Sequence, residues 1–257
     1  MTEQYETMSY TVADRVATIE FTRPERRNAT DLQFYEDFHP ILDLAERDAE
    51  VRVVVLRAAG PSWAAGQDLK FSNSATEEEW ARYVYLNREA RERIRRFPKP
   101  VIARVHGDAL GGGTYLVTSS DLIVMKHSAR LAMREIQAGE SSGGALFLTL
   151  GKQRSMELNL LGRFIAGEEA ERWGLVNKSV ATDEELDAQV ADWIDQLLQL
   201  PPLSLKMTKI GQNFFMDAAG YDLHRRIGFP DFLMHTEDRA EAKNAWNEKR
   251  KPNFTGK

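Results

Sequence analysis

Residues 51–58, VRVVVLRA, form a nearly unbroken β-branched run. A strand with one solvated face alternates apolar and polar side chains, whereas a continuous run is expected of a strand covered on both faces. The neighbouring sequence supplies candidate helices. Leu32 to Arg47 carries Phe34, Tyr35, Phe38, Ile41, Leu42 and Leu44 at helical period, and Thr30 with Gln33 fits a capping box ahead of it. Thr76 and Glu79 make a second capping box, opening a helix predicted to reach about Arg96, where Pro98 and Pro100 close it. A strand buried on two sides between amphipathic helices places the chain in the α/β class.

The remaining segments extend that pattern. MSYTV (8–12) and RVATIEF (15–21) alternate apolar and polar around Ala13-Asp14 and read as a hairpin. VIARV (101–105) and DLIVMK (121–126) read as strands on either side of a turn and helix start in GGGTYLVTSS. From Gln153 onward the signal is helical: 153–161, a segment near 167–173, 183–199 behind a Thr182/Glu185 capping box, 203–218 and 221–247. The expected organisation is an α/β core over residues 1–200 and a helical region over 201–257 of the kind that mediates assembly.

Composition excludes several functions. The 257 residues are 42% apolar and 28% charged, ordinary for a globular protein. A net charge of −5 without a Lys/Arg block speaks against a nucleic-acid partner. The absence of cysteine removes disulfides, thiolate metal sites and a cysteine nucleophile. His39 lies on the first amphipathic helix and His106 just before the glycine triplet, packed under its loop, while His127, His224 and His235 make no ligand spacing with one another, so no metal is expected. No apolar run approaches a membrane span, and MTEQYETMSY lacks the regions of a secretory signal, so the expected location is the cytoplasm.

The stretch ALGGGTYLVTSSDL (109–122) poses the functional question. Three glycines are entropically expensive to order, and at a helix start they expose N–H groups backed by the positive end of the helix dipole. That arrangement suits a phosphate or a developing oxyanion; close packing or a tight turn would also explain it. No G-x-x-x-x-G-K-[ST] or G-x-G-x-x-G motif is present. A second small-residue loop, SWAAGQDLKF (62–71), follows the buried strand.

With these two loops the chain resembles the crotonase, or enoyl-coenzyme A hydratase/isomerase, family. The resemblance runs through TRPERRNAT (22–30), AAGQDLK (64–70), PKPVIARVHGDALGGG (98–113), SSDLIV (119–124), GRFIAGEEAERWGLVNKSV (162–180) and EDRAEAKNAWNEKRKPNF (237–254). It implies a spiral of β-β-α units with a C-terminal helical assembly region, usually a homotrimer or homohexamer. It implies an acyl-CoA thioester substrate, with coenzyme A part of the substrate and no separate cofactor. The thioester carbonyl would sit between the backbone N–H groups of Gln67 and Gly112, and side-chain bulk at residue 112 would block its approach. Losing one oxyanion donor typically costs about 2.7–4 kcal/mol of barrier.

The resemblance places one catalytic carboxylate at Glu135, within LAMREIQAG (131–139), where the bland alternative is an ion pair with Arg134 or Arg130. Where hydratases of the family carry a first glutamate, this chain has Tyr115, whose phenol can donate a hydrogen bond or shape the pocket wall. Glu140 is a candidate replacement acid; its alternative is a solvated or helix-capping carboxylate. Arg26, Arg27, Ala65, Leu69 and Lys70 match the family's coenzyme A loops, and Lys249-Arg250-Lys251 with Phe254 resembles a tail that reaches a neighbouring subunit's coenzyme A. The helix over 77–96 and residues beyond 220 would line the acyl end. The expected activity is of the hydratase/isomerase type, with an enolate at Gln67 and Gly112, Glu135 as proton shuttle and Tyr115 assisting. Alternatives are C–C bond hydrolysis of a cyclic β-ketoacyl-CoA, with Glu135 or Glu140 activating water, and a catalytically silent homologue binding coenzyme A or RNA.

Overall fold

The computed structural model describes residues 2–142, 146–221 and 232–257. The helical reading over 222–231, and His224 with it, lies outside the described residues. Chain contacts define two compact units: Met1–Leu131 with Ile165–Asn213, and Ala132–Phe164 with Phe214–Lys257.

The first unit is built on a seven-stranded sheet. β1 (Thr2–Gln4), β2 (Met8–Ala13) and β3 (Val16–Phe21) are antiparallel; β4 (Val53–Ala58), β6 (Val101–Val105), β8 (Leu122–Lys126) and β11 (Lys178–Val180) then add in parallel, in the order β1-β2-β3-β4-β6-β8-β11. The hairpin expected between β2 and β3 forms with its turn one residue later, at Asp14 and Arg15, both with positive φ. Strand alternation sets which residues face the core, and the turn falls where two consecutive residues accept the left-handed conformation that a tight hairpin needs.

β4 is buried on both sides, as its sequence requires. Val53 and Val55 pack with Ile102, Val124 and Val180 beneath α7 (Asp183–Leu198), while Val54 and Leu56 are fully buried on the opposite face. α1 (Leu32–Arg47) contributes aromatic rings to the core: Phe34 and Phe38 pack edge-on to Phe21 at centroid distances of 4.8 and 6.2 Å, and Trp63 packs on Phe21 at 5.0 Å.

The Thr30/Gln33 capping box does not form. Asp31 caps α1 instead, accepting from the Phe34 N–H at 3.0 Å, while Gln33 donates to Asp37. Asp31 is favoured because its carboxylate also receives Arg23 through two bonds of 2.6 and 2.8 Å, and Arg23 reaches on to the Ala29 carbonyl. A buried pair of this kind fixes the 22–31 loop in one conformation, and removing one partner typically destabilises by about 3–5 kcal/mol. The Thr76/Glu79 and Thr182/Glu185 boxes form as expected, opening α3 (Glu77–Arg96) and α7.

A second, four-stranded sheet has the order β10-β9-β7-β5, from β5 (Ser62–Ala64), β7 (Asp108–Leu110), β9 (Arg130–Ala132) and β10 (Ile165–Ala166). β5 and β7 run parallel, so their carboxyl ends lie side by side. α2 (Leu69–Ser74) follows β5 and α4 (Gly112–Thr118) follows β7. α5 (Leu146–Leu161) is broken at Gly151, α6 (Gly167–Trp173) precedes β11, and the described residues beyond 200 are helical in α8 (Pro202–Ala218), a short 3-10 turn and α9 (Glu237–Asn247).

Candidate active site

Parallel strands direct loops from their carboxyl ends toward a common crevice, the usual ligand position in α/β sheets. The loops after β5 and β7 meet there backbone to backbone. Gly66 has φ +85°, and a Cβ on it would stand 2.7 Å from the Leu110 carbonyl oxygen. On the other side of the same loop, Gly66 accepts from Thr30 N–H at 2.7 Å and Asp68 donates to the Thr30 carbonyl at 2.8 Å, leaving Gln67 N–H facing away from Thr30. Asp68 then caps α2 through Lys70 and Phe71 N–H.

The glycine triplet separates into three distinct requirements. Gly111, the N-cap of α4, has φ +49° and ψ −116°, a conformation that disfavours any side chain. Gly113 is pressed onto the first loop: its Cβ would overlap the Ala64 carbonyl oxygen and lie 2.9 Å from the Ala64 methyl. Gly112 is under neither constraint. A Cβ there would make ordinary contacts with Thr30 Oγ1 at 3.6 Å, Tyr35 OH at 3.6 Å and Asn87 Nδ2 at 4.0 Å. Its N–H lies in the first turn of α4, where the helix offers no intrahelical acceptor. Turn geometry and packing therefore explain the outer two glycines and leave the middle one facing polar side-chain atoms without a clash.

Around Gly112, Thr30, Tyr35 and Tyr115 are joined by Tyr83, Asn87 and Arg91, which the sequence patterns did not single out. Thr30 Oγ1 and Tyr83 OH are 3.2 Å apart. Tyr35 is fully buried, and burial pushes its phenol up to about 12, so the ring stays neutral. Its OH has Thr30 as a neighbour but makes no well-formed hydrogen bond among the described residues. Arg91 donates to Asn87 Oδ1 at 3.0 Å and lies over the Tyr115 ring at 3.7 Å from its centroid, a cation–π geometry. Tyr115 is buried on α4.

The residues matched to coenzyme A loops gather in the same unit. Ala65 N–H donates to the Arg27 carbonyl at 3.0 Å, and Arg26 lies 3.5 Å from Asp68 and 3.8 Å from Asp31 with its side chain half exposed. Lys70 is exposed beside Leu69 at the start of α2. His106 donates from Nε2–H to the Gly60 carbonyl at 2.7 Å, and burial lowers its pKa.

Glu135 and Glu140 belong to the second unit. Glu135 opens a 3-10 turn, Glu135–Ala138, that ends at Gly139 with φ +72°. Its backbone carbonyl accepts from Glu140 N–H at 3.0 Å. Arg130 is paired with Asp108 at 2.5 Å, while Arg134 donates to the Gly162 carbonyl and lies over the Phe164 ring. Among the described residues Glu140 is held in an ion pair. Its carboxylate lies 2.5 Å from Arg239 of α9, in a burial that raises its pKa against the lowering influence of that guanidinium. Arg239 also donates to the Ala138 carbonyl at 2.6 Å, clamping the turn that carries Glu135. In the tail, Arg250 is held by Glu241 and Glu248, and Lys249, Lys251 and Phe254 are exposed. Among the described residues no cluster of three or more His, Asp or Glu is arranged to hold a metal, and no helix is long and apolar enough to cross a membrane.

The family model for enoyl-CoA hydratase/isomerase matches residues 11–257. Similar proteins include the (E)-benzylidenesuccinyl-CoA hydratase of Thauera aromatica, 30% identical over 254 residues covering 95% of this chain and 97% of that protein. The human enoyl-CoA hydratase domain-containing protein 2, mitochondrial, is 32% identical over 252 residues, covering 94% and 86%. A methylmalonyl-CoA decarboxylase in complex with 2-nitronate-propionyl-CoA superposes with a TM-score of 0.87 at 28% identity, covering 99% of this chain and all of that one.

Alanine substitutions separate the three glycines. Gly111→Ala is expected to lose about 1–3 kcal/mol through backbone strain, and Gly113→Ala about 1–3 kcal/mol through overpacking. Gly112→Ala should remain within about 1 kcal/mol of the parent. Guanidinium denaturation checks the series, and equal destabilisation at all three positions would refute the assignment.

Proposed function

This chain belongs to the enoyl-CoA hydratase/isomerase family of acyl-CoA enzymes, and we propose that it acts on an acyl-CoA thioester whose carbonyl is held by Gln67 and Gly112 N–H. The observation that carries this reading is the room at Gly112: the glycine freed from turn and packing constraints is the one whose amide the chemistry would use. Negative charge developing on the carbonyl oxygen is stabilised there by two fixed donors and the start of α4, at no reorganisation cost during reaction. We assign proton transfer to Glu135, with the Tyr115 hydroxyl assisting. Removal of a proton beside the carbonyl gives an enolate; returning it at another carbon moves a double bond, and conjugate addition of water passes through the same anion. The relatives carry names of hydratases and a decarboxylase, so membership specifies the thioester more closely than the bond changed. Arg26, Arg27, Ala65, Leu69 and Lys70 would hold coenzyme A, with cationic side chains suited to its phosphates.

The reading extends to assembly. α8 carries Leu203, Met207 and Ile210 on one helical stripe, exposed by 75, 61 and 48%, and no residue of the helix is buried. Apolar surface of this regularity marks an interface, and we assign it to a homotrimer or homohexamer. Sedimentation should show the parent as an oligomer and Met207→Glu/Ile210→Glu as smaller species; a monomeric parent would overturn this part.

Mass analysis of incubations with crotonyl-CoA, 3-hexenoyl-CoA and 2-ketocyclohexanecarboxyl-CoA tests the reaction. Water addition or double-bond migration is expected, reduced by about 10²-fold or more in Glu135→Gln. Gly112→Pro removes the amide at a position where helices accept proline, and kcat should fall by about 10²–10³. Gly112→Ala, which keeps the amide, separates loss of the donor from added bulk. Ring opening of the ketone would favour a C–C hydrolase instead, and a parental rate in Gly112→Pro would remove the carbonyl from this site.

A further inference from the structure

The side chains around Gly112 are hydroxyls, an amide and a guanidinium, a set with a cation and, among the described residues, no carboxylate paired to it. Tyr35 OH is fully buried without a well-formed hydrogen bond among the described residues. Asn87 gives its oxygen to Arg91 Nε, which leaves Nδ2 as the end nearest Gly112. Arg91 is half-buried, seated on Tyr115, and among the described residues no carboxylate lies within 4.0 Å of it. Its neighbours on α3 differ: Arg82 pairs with Glu36, Arg93 with Asp43, and Arg95 and Arg96 with Glu92. A half-buried guanidinium without a counter-charge is costly unless an anion is supplied.

We propose that the acyl group of the substrate carries a second carboxylate, received by Arg91 together with Asn87 Nδ2–H and Tyr35 OH. This inference rests on the acyl-CoA reading above and names the acyl class. The chemistry is selective in both directions. A carboxylate accepts from all three donors and pairs with the guanidinium, forming the strong, charge-assisted kind of hydrogen bond. A hydrocarbon acyl chain would leave Asn87 Nδ2–H and Tyr35 OH without a new acceptor and the Arg91 charge uncompensated. Tyr35 suits the role because burial keeps its phenol protonated, hence a donor, across the physiological range. Tyr115 holds the guanidinium plane by its ring face, so the cation is positioned without a competing acid.

Titration calorimetry with malonyl-, succinyl- and glutaryl-CoA, set against butyryl-CoA, tests the proposal. At least one dicarboxylic thioester should bind tenfold or more tightly than butyryl-CoA. Arg91→Met should lower that affinity ratio at least tenfold, and Tyr35→Phe, which removes one hydroxyl and keeps the ring, about threefold or more. Should Arg91→Met fail to fold, Tyr35→Phe carries the test alone. Butyryl-CoA binding as tightly as every dicarboxylic thioester, or a ratio unchanged in the variants, would overturn the proposal and leave the acyl-CoA reading standing. Failure of coenzyme A and all four thioesters to bind would overturn both.

Discussion

Two loops leave the carboxyl ends of the parallel strands β5 and β7 and meet backbone against backbone, and the chemistry assigned to this protein depends on that approach. Gly66 lies against the Leu110 carbonyl and Gly113 against Ala64, so side chains are excluded from both sides of the seam. With no side chains between them, the peptide groups themselves line the seam, and they are the groups proposed above to hold the thioester carbonyl. A peptide N–H held by a sheet on one side and a helix start on the other cannot rotate away, which makes it a pre-organised donor. Gly112 occupies that seam without being needed to form it.

The surrounding charges hold this geometry. Asp31 caps α1 and binds Arg23, which fixes the loop presenting Thr30; Thr30 in turn holds the Gly66–Asp68 segment through its backbone. Within the second unit Arg239 serves a comparable purpose for the turn carrying Glu135, joining the Ala138 carbonyl and the Glu140 carboxylate. In both places an arginine with several partners immobilises a loop that would otherwise sample many conformations.

The α/β class, the doubly buried β4 and two of three capping boxes were legible in the sequence because each depends on neighbours within a few residues. Thr30/Gln33 misled because Asp31 gains from Arg23, a tertiary partner that a four-residue motif does not contain. The hairpin turn shifted for a related reason: period-2 alternation identifies faces without locating the residues that take positive φ. The glycine triplet was visible, but its division into a strained cap, a packing contact and an open position required the opposing loop. Tyr35, Asn87 and Arg91 gave no signal, since Tyr35 matches the core stripe of α1 and Arg91 is one of several arginines on a strongly polar helix. The ion pairs of Arg82, Arg93, Arg95 and Arg96 separate Arg91 from those four.

Infrared difference spectroscopy of butyryl-CoA carrying a 13C-labelled thioester carbonyl tests the central claim most directly. If Gln67 and Gly112 N–H polarise that bond, its stretch moves to lower frequency on binding to the parent and moves less on binding to Gly112→Pro. A bound thioester whose carbonyl stretch stays at its solution frequency, or shifts equally in both proteins, would contradict the account.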